Sequence, residues 1–229
     1  MIRLTDCWFC FSPPEEDVKL DAPPAISRGA VTFGCFNNIT KVTPEVIMLW
    51  AEILRAVPRS RLFLKTMALD DAGVRARFES LFVDQGISAE RLLFEGRSSR
   101  TEMYESFGAV DIGLDPFPFN GAATTLETLW MGVPVISLRG NDRFVSHMGE
   151  SLLTTAGLSE FIADSKQDYV SKAVALACDF PRLEELRRRI RPQLLASPLC
   201  DAQKFTRNLE EAYREMWVSR CPSAPAGSA

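Results

Sequence analysis

The stretch LDPFPFNGAATTLETLWMGVPVISL, residues 114–138, places a strand end, a turn, a helix and a second strand in immediate succession. A proline ends the first strand because it cannot donate to a central ladder, and an Asn-Gly pair provides a tight turn. Thr124, followed three residues later by Glu127, matches a capping box at the start of the helix. A glycine ends that helix before the strand at 133–138. The stretch is therefore typical of a strand–helix–strand unit.

The same alternation extends along most of the chain. Its short apolar runs do not alternate with polar residues, which indicates strands that are buried on both faces of a parallel sheet. We predict an α/β fold, a doubly wound, mainly parallel Rossmann-like sheet with extra C-terminal helices. The predicted strands are 31–36, 61–65, 91–95, 110–115 and 133–138, and the predicted helices are 43–58, 71–86, 101–108, 124–131, about 143–156, 166–179, 181–196 and 202–219.

The pattern divides the chain into three parts. Residues 1–30 are rich in proline and acidic side chains and lack periodicity, which is typical of a linker or a remnant arm. Residues 31–219 form the predicted domain, and residues 220–229 are predicted to be a disordered tail.

Composition excludes several functional classes. The net charge of −4 argues against a nucleic-acid or membrane-surface protein, since either needs a basic excess. No apolar run has the length of a membrane span, and the N-terminal residues lack a signal-peptide layout, so we predict a cytoplasmic address. The six cysteines form no framework and are predicted to be reduced. His147 is the only histidine, which argues against a Ser-His-Asp triad, and we predict that it lies inside a helix.

The carboxyl ends of the predicted strands are where such folds bind ligands. After the first strand, Asn37, Asn38, Thr40 and Lys41 precede a helix N-terminus, an environment that favours anions. A capped turn with a solvated lysine explains the same residues. Lys65, at the end of the second strand, is predicted to be a surface lysine.

Two further loops could contact a nucleotide. In FEGRSSRTEM, the residues Gly96, Ser98 and Ser99 leave backbone groups for a base or sugar, and Arg97 or Arg100 could stack on a base. Helix capping by Ser99 or Thr101 explains this loop equally well.

In the opening stretch, Gly121 permits close approach of another backbone segment or a ligand, and the hydroxyls of Thr124 and Thr125 could bind a diphosphate. Glu127 could accept hydrogen bonds from a ribose, although the capping box alone explains it. Neither a G-x-G-x-x-G nor a P-loop motif is present.

Three motifs carry a resemblance to a known family. VTFGCFNNITKVTPEVIMLWAEILRAVP (31–58), VDIGLDPFPFNGAATTLETLWMGVPVISL (110–138) and SPLCDAQKFTRNLEEAYREMW (197–217) resemble the C-terminal catalytic half of the O-linked N-acetylglucosamine transferases. The bacterial, SPINDLY-like branch, whose plant members are protein O-fucosyltransferases, is the most similar. The resemblance covers about residues 30–218. It implies the C-terminal half of a GT-B glycosyltransferase, which transfers a sugar such as N-acetylglucosamine from a nucleotide to Ser or Thr of a protein without a metal.

The resemblance also implies roles for individual residues. Lys41 matches a lysine that contacts the diphosphate and stabilises the leaving group, and Asn38 matches the amide-bearing position before it. Thr124 matches a phosphate-binding hydroxyl and Glu127 an acid that binds ribose. Arg100 matches a basic residue near the base. The nucleotide-binding residues predicted in total are Asn38, Lys41, Ser98, Arg100, Gly121, Thr124, Thr125 and Glu127, with no metal ligand and no resident cofactor.

The chain also departs from the family pattern. Ala122 and Ala123 replace hydroxyl or imidazole side chains, and Met103 replaces a histidine of some relatives. No tetratricopeptide period is visible, and no counterpart of the N-terminal catalytic half, with its proposed histidine base, is found. The predicted partners are a nucleotide sugar, UDP-linked rather than GDP-linked, and a protein acceptor or a missing N-terminal catalytic or repeat region. The alternative is a non-catalytic nucleotide- or protein-binding module left by truncation.

Overall fold

A computed structural model describes residues 2–15 and 18–221. Six parallel strands form one sheet in the order β3-β2-β1-β4-β5-β6. The strands are β1 Thr32–Cys35, β2 Arg61–Lys65, β3 Leu92–Glu95, β4 Ile112–Leu114, β5 Val135–Leu138 and β6 Ile162–Ala163. The predicted fold class is confirmed, because this is the doubly wound order of a Rossmann-like sheet.

Nine α-helices surround the sheet in the described residues. They are α1 Pro24–Arg28, α2 Pro44–Ala56, α3 Ala72–Val83, α4 Arg100–Phe107, α5 Ala123–Trp130, α6 Met148–Thr155, α7 Lys166–Ala177, α8 Phe180–Leu195 and α9 Ala202–Arg220. Helix α2 packs against α3 and α7, whereas α5 packs against α8. The sheet is therefore buried between two helical layers, which explains its continuous apolar strands.

Helix α2 shows how the sequence produces these layers. Thr43 accepts a hydrogen bond from the Val46 backbone N–H, and Pro44 occupies the first turn, where a missing N–H costs nothing. Trp50 is fully buried on the inner face, and its Nε1 donates to the Tyr169 hydroxyl of α7 at 3.2 Å. Packing and one satisfied buried hydrogen bond thus join α2 to α7.

The strand order reverses between β1 and β4, in the middle of the sheet. Phe33 pairs with Ile112 and Gly34 with Gly113 across this point. In open α/β sheets the crevice beyond the carboxyl ends of such a strand pair is the usual ligand site. The loops that follow β1 and β4 are therefore the ones that define a candidate site.

The described parts of the predicted arm contact the domain. Cys7 and Phe11 are buried in the core, and the Phe11 backbone N–H donates to the Leu199 carbonyl at 2.7 Å. The buried carboxylate of Asp111 accepts from the backbone N–H groups of Ala25 and Thr32. Of the predicted tail at 220–229, residues 222–229 lie outside the described residues.

Some elements of the structure differ from the prediction, among them α1, which lies in the predicted arm. β6 was not predicted, because two residues are too few to give a recognisable pattern. The helix predicted at about 143–156 is wrong in its first turn, where Phe144–Ser146 form a 3₁₀ turn before α6. His147 consequently lies at the N-cap of α6 and not inside a helix.

Among the described residues, none of the helices combines the length and apolarity that a membrane crossing requires. The same residues contain no cluster of three or more His, Cys, Asp or Glu side chains arranged to hold a metal ion.

Candidate functional site

Lys41 lies in the loop after β1, at the end of the 3₁₀ turn Ile39–Lys41. Its Nζ donates to the Asn120 carbonyl oxygen at 2.8 Å and to Asn37 Oδ1 at 3.3 Å. It also lies 4.1 Å from the centroid of the Phe119 ring, within range of a cation–π interaction. Burial lowers the pKa of Lys41, and the charge of Asp115 opposes that shift. A half-buried ammonium group is thus held at the switch point by neutral oxygens.

Asn37 is the residue that joins the two central loops. It was predicted as part of the anion-favouring loop after the first strand but not among the nucleotide-binding residues. Its side chain is 8% exposed, and Oδ1 accepts from both Lys41 Nζ and the Thr124 hydroxyl, the latter at 3.1 Å. Asn38, which was predicted, is exposed, and its Oδ1 accepts from the N–H and hydroxyl of Thr40. The sequence signal for Asn37 is its position midway between the apolar residues Cys35 and Ile39, and the structure shows all three to be buried.

The capping box predicted at Thr124 and Glu127 is wrong. Helix α5 begins at Ala123, and Ala122 occupies the N-cap without a side-chain hydrogen bond. Thr124 therefore lies inside the first turn, where its hydroxyl is directed to Asn37. Capping does not explain this threonine, and within the described residues the N-cap of α5 provides no side-chain acceptor for the first N–H groups of the helix.

Gly121 lies directly before this helix in a crowded position. A Cβ built there would lie 2.3 Å from Thr125 Oγ1 and 2.9 Å from Asn37 Nδ2, so any larger residue would displace them. The Thr125 hydroxyl is buried and has no hydrogen-bond partner among the described residues. The predicted close approach at Gly121 is therefore made by site side chains.

Asp115 fixes the turn that carries these residues. It follows β4, is fully buried, and accepts from the Gly121 N–H and the Ser137 hydroxyl, both at 2.6 Å. Burial raises the pKa of Asp115 to about 7, against the lowering effect of these two hydrogen bonds and of Lys41. From the sequence, Asp115 was predicted only as the end of a strand. A buried carboxylate that receives two hydrogen bonds defines one geometry for the turn.

Arg100 and Glu127 form a second group of site residues, next to the group around Lys41 and Asn37. Arg100 opens α4, and Glu127 lies one turn inside α5. Burial raises the pKa of Glu127, and the positive charge of Arg100 opposes that shift, which places the two side chains within electrostatic reach. Ser98, predicted as a third member, makes a hydrogen bond only to the adjacent Ser99 carbonyl. The capping explanation of this loop is confirmed, because Ser99 and Glu102 form a capping box on α4.

Lys65 is not the predicted surface lysine. Its side chain is 5% exposed, and Nζ lies 3.0 Å from Glu95 Oε2 at the end of the neighbouring strand. β2 is enclosed between β1 and β3, so the lysine at its carboxyl end is covered by the sheet edge. It lies on the same edge as Lys41 but is neutralised by a protein carboxylate.

The structure therefore brings Lys41, Gly121, Thr124 and Thr125 together around Asn37. A lysine and a helix N-terminus without a side-chain cap thus lie at the switch point of a 3-2-1-4-5-6 sheet, the position at which open α/β sheets bind ligands. Fold and site together define a Rossmann-like domain of the GT-B glycosyltransferase class.

Comparison with known proteins gives the family. Residues 23–209 match the family model described as glycosyl transferase family 41, and the chain belongs to that family. It is 40% identical over 222 residues to the probable UDP-N-acetylglucosamine–peptide N-acetylglucosaminyltransferase SPINDLY of Hordeum vulgare, covering 96% of this chain and 23% of the barley protein. The predicted resemblance is thereby confirmed.

Solved structures agree with the sequence comparison. A mutant of the Thermobaculum terrenum O-GlcNAc transferase superposes with a TM-score of 0.83 at 35% identity, covering 96% of this chain and 42% of that one. The C-terminal domain of a group 1 glycosyl transferase, LpcC, from Francisella tularensis has a TM-score of 0.55 at 15% identity, covering 83% of this chain and 96% of that one. The second likeness shows the fold alone.

Proposed function

We propose that this domain binds a UDP-sugar, with the diphosphate between Lys41 and the N-terminus of α5. The observation that carries the proposal is the position of Lys41. Its ammonium group donates at 2.8 Å to the carbonyl oxygen of Asn120, which precedes the N-cap Ala122 of this helix by two residues. Neither this carbonyl nor the amide oxygen of Asn37 neutralises the ammonium charge. An anionic ligand would complete the electrostatics of the site.

Two hydroxyl groups support the same ligand. The Thr124 hydroxyl is directed toward the site by Asn37, and the Thr125 hydroxyl has no acceptor in the described protein. Phosphate oxygens are acceptors with several lone pairs and can take such hydrogen bonds together with backbone N–H groups. The predicted roles of Gly121, Thr124, Thr125 and Lys41 are thus compatible with a single diphosphate.

The Arg100–Glu127 group supports a location for the nucleoside. The half-buried carboxylate of Glu127 lies one helical turn after the start of α5 and could accept hydrogen bonds from the ribose of the same nucleotide. Arg100 would stack on or hydrogen-bond to the base. Asn38 and Ser98 were also predicted to bind the nucleotide. In the described structure their side chains make only local hydrogen bonds, so nothing beyond the prediction supports that role.

The reaction proposed is transfer of the sugar to a Ser or Thr hydroxyl of a protein, as the name of the barley relative describes for that protein. The bond between the anomeric carbon and the diphosphate oxygen breaks, and negative charge develops on the departing UDP. Lys41 and the N–H groups of α5 would stabilise that charge, which is the largest contribution expected from this domain. The chain covers only 23% of the barley protein, and no residue here is assigned as the base.

Calorimetric titration with UDP, GDP and uridine tests the proposal. We expect UDP to bind, and uridine to bind much more weakly because it lacks the diphosphate. Binding of GDP and UDP with equal affinity would remove the preference for uridine nucleotides but keep the diphosphate site. If none of the three ligands binds, the proposed donor site is wrong.

A further inference from the structure

A cavity lies at the amino ends of the strands, on the opposite side of the sheet from Lys41, which follows the carboxyl end of β1. It has a volume of about 650 Å³ and is lined by the residues before and at the start of β1 and β2. Strand β2 has five residues, so roughly 13 Å separates the amino ends of the strands from their carboxyl ends, where Lys41 lies. The cavity is therefore independent of the proposed donor site.

Arginines dominate the lining of this cavity. Arg28, Arg59, Arg61 and Arg91 face it together with a single carboxylate, Glu90. The concentration is unusual for this chain, because its 30 acidic residues exceed its 26 basic ones. Four guanidinium groups against one carboxylate make the cavity strongly positive within an acidic protein.

One of these arginines has a structural role. Arg91 donates to the carbonyl oxygens of Leu54, Val57 and Ser60 and thereby satisfies the C-terminal end of α2. These carbonyls hold its side chain in place at the rear of the cavity. Its charge is not neutralised by them, and it contributes to the positive potential there.

The other three arginines have no such engagement. In the described part of the chain, the guanidinium groups of Arg28, Arg59 and Arg61 make no hydrogen bond and no ion pair, and Arg28 lies within electrostatic reach of the buried Asp111 carboxylate. By contrast, Arg139 and Arg189 pair with carboxylates on other surfaces. Three exposed cations that converge on one cavity repel each other unless an anion lies between them.

The local backbone brings two of them close together. α1 ends at Arg28, and Gly29 closes it with a positive φ of 63°, in the left-handed region that favours glycine. A Cβ at Gly29 would lie 4.0 Å from Arg59 Nη2, so the Arg59 side chain extends across this turn. Arg61 follows two residues later as the exposed first residue of β2.

We propose that this cavity is a binding site for a small polyanion of the phosphate class, such as pyrophosphate or a soluble phosphate ester. The planar guanidinium donors of Arg28, Arg59 and Arg61 match phosphoryl oxygens in bidentate geometry. The volume is within the range of about 300 to 1000 Å³ that small-molecule sites occupy. The site would bind its ligand whether or not the donor site binds UDP.

The test is calorimetric titration of sodium pyrophosphate into the Lys41→Ala variant at low salt, which removes the competing cation at the donor site. We expect one binding event, weakened roughly tenfold for each arginine removed in Arg59→Gln and in the Arg59→Gln/Arg61→Gln double variant. Arg77→Gln, an exposed arginine on α3, is the matched control and should leave the affinity unchanged. Inorganic phosphate and ribose 5-phosphate, titrated in parallel, distinguish a diphosphate from a phosphate ester as the preferred ligand.

Two results would overturn the proposal. One is the absence of binding by all three phosphate compounds in the Lys41→Ala variant. The other is pyrophosphate binding that the double variant retains at full affinity, with thermal unfolding confirming that the variant is folded. UDP binding is measured separately in the Arg59→Gln/Arg61→Gln variant that retains Lys41. Failure of the arginine cavity to bind is thereby distinguished from failure of the donor site.

Discussion

The amide oxygen of Asn37 accepts a hydrogen bond from the hydroxyl of Thr124 at 3.1 Å, although 87 residues separate them in sequence. Asn37 follows β1 and Thr124 follows β4, the two strands at which the sheet order reverses. The same oxygen accepts from Lys41 at 3.3 Å. This contact fixes the lysine relative to the N-terminus of α5, and the proposed diphosphate site depends on that arrangement.

Substitution of Asn37 tests whether this connection positions the site. We expect Asn37→Ala to weaken UDP binding about tenfold, because Lys41 and Thr124 each lose a hydrogen bond worth roughly 1 kcal/mol. Asn38→Ala is the matched control, since Asn38 Oδ1 accepts only from Thr40. Calorimetry on both variants compares them directly. A larger loss in Asn38→Ala would restore the predicted role of Asn38 and contradict the positioning role of Asn37.

Removal of the Lys41 charge tests the proposed phosphate contact. We expect Lys41→Ala to weaken UDP binding roughly 10- to 100-fold, the range for loss of a hydrogen bond to a charged group. Uridine binding should change little, because uridine has no diphosphate. Lys166→Ala serves as the control, since Lys166 forms only an exposed ion pair with Glu45. Equal losses of UDP and uridine affinity would show that the lysine maintains the fold and does not contact phosphate.

Ala123 offers a prediction of gained affinity. It is exposed at the first position of α5 and brings no hydroxyl group to the proposed diphosphate site. We expect Ala123→Thr to bind UDP about fivefold more tightly, since one added hydroxyl contributes roughly 1 kcal/mol. Ala123→Val has the same shape without the hydroxyl and should show no gain. If both variants bind alike, this position lies outside the diphosphate site.

We expect the stability of the protein to depend on pH because of Asp115. Its pKa is raised to about 7 in the folded protein, whereas an aspartate in an unfolded chain has a pKa of about 4. Between these values the folded protein holds a proton that the unfolded chain has released. The free energy of unfolding should therefore decrease as the pH rises from about 4 to about 7, by up to about 4 kcal/mol.

Asp115→Asn isolates this effect. Asparagine can still accept from the Gly121 N–H and can donate to the Ser137 oxygen, but it does not titrate. Urea unfolding at several pH values should show a smaller decrease for the variant than for the wild type. Parallel curves for the two proteins would mean that Asp115 is ionised across this whole range.

The sheet was predictable from the sequence because each central strand is an uninterrupted apolar run between turn residues. Helix α2 was predictable too, since Thr43 and Pro44 mark its start. The two-residue strand β6 and the 3₁₀ turn before α6 were not, because their geometry is set by hydrogen bonds to distant residues. Asn120, for example, donates from its backbone N–H to the Val145 carbonyl and thereby holds that turn.

The site was predictable only in part, and the errors in its prediction share one cause. Lys41 and Thr124 were identified, but Asn37 and Asp115 act through contacts between loops that lie far apart in sequence. Thr124 was assigned to capping because a local motif was satisfied, whereas the tertiary contact with Asn37 determines its orientation. Lys65 was assigned to the surface because its burial depends on Glu95 of the neighbouring strand. Local patterns do not contain these relationships.

In the proposed function, the diphosphate of UDP binds between Lys41 and the N-terminus of α5. The most direct test is an amide ¹H–¹⁵N titration of the assigned protein with UDP, and separately with uridine. We predict that UDP shifts the amide resonances of Ala123, Thr124 and Thr125 and that uridine does not. UDP binding that leaves these three resonances unchanged would contradict the account.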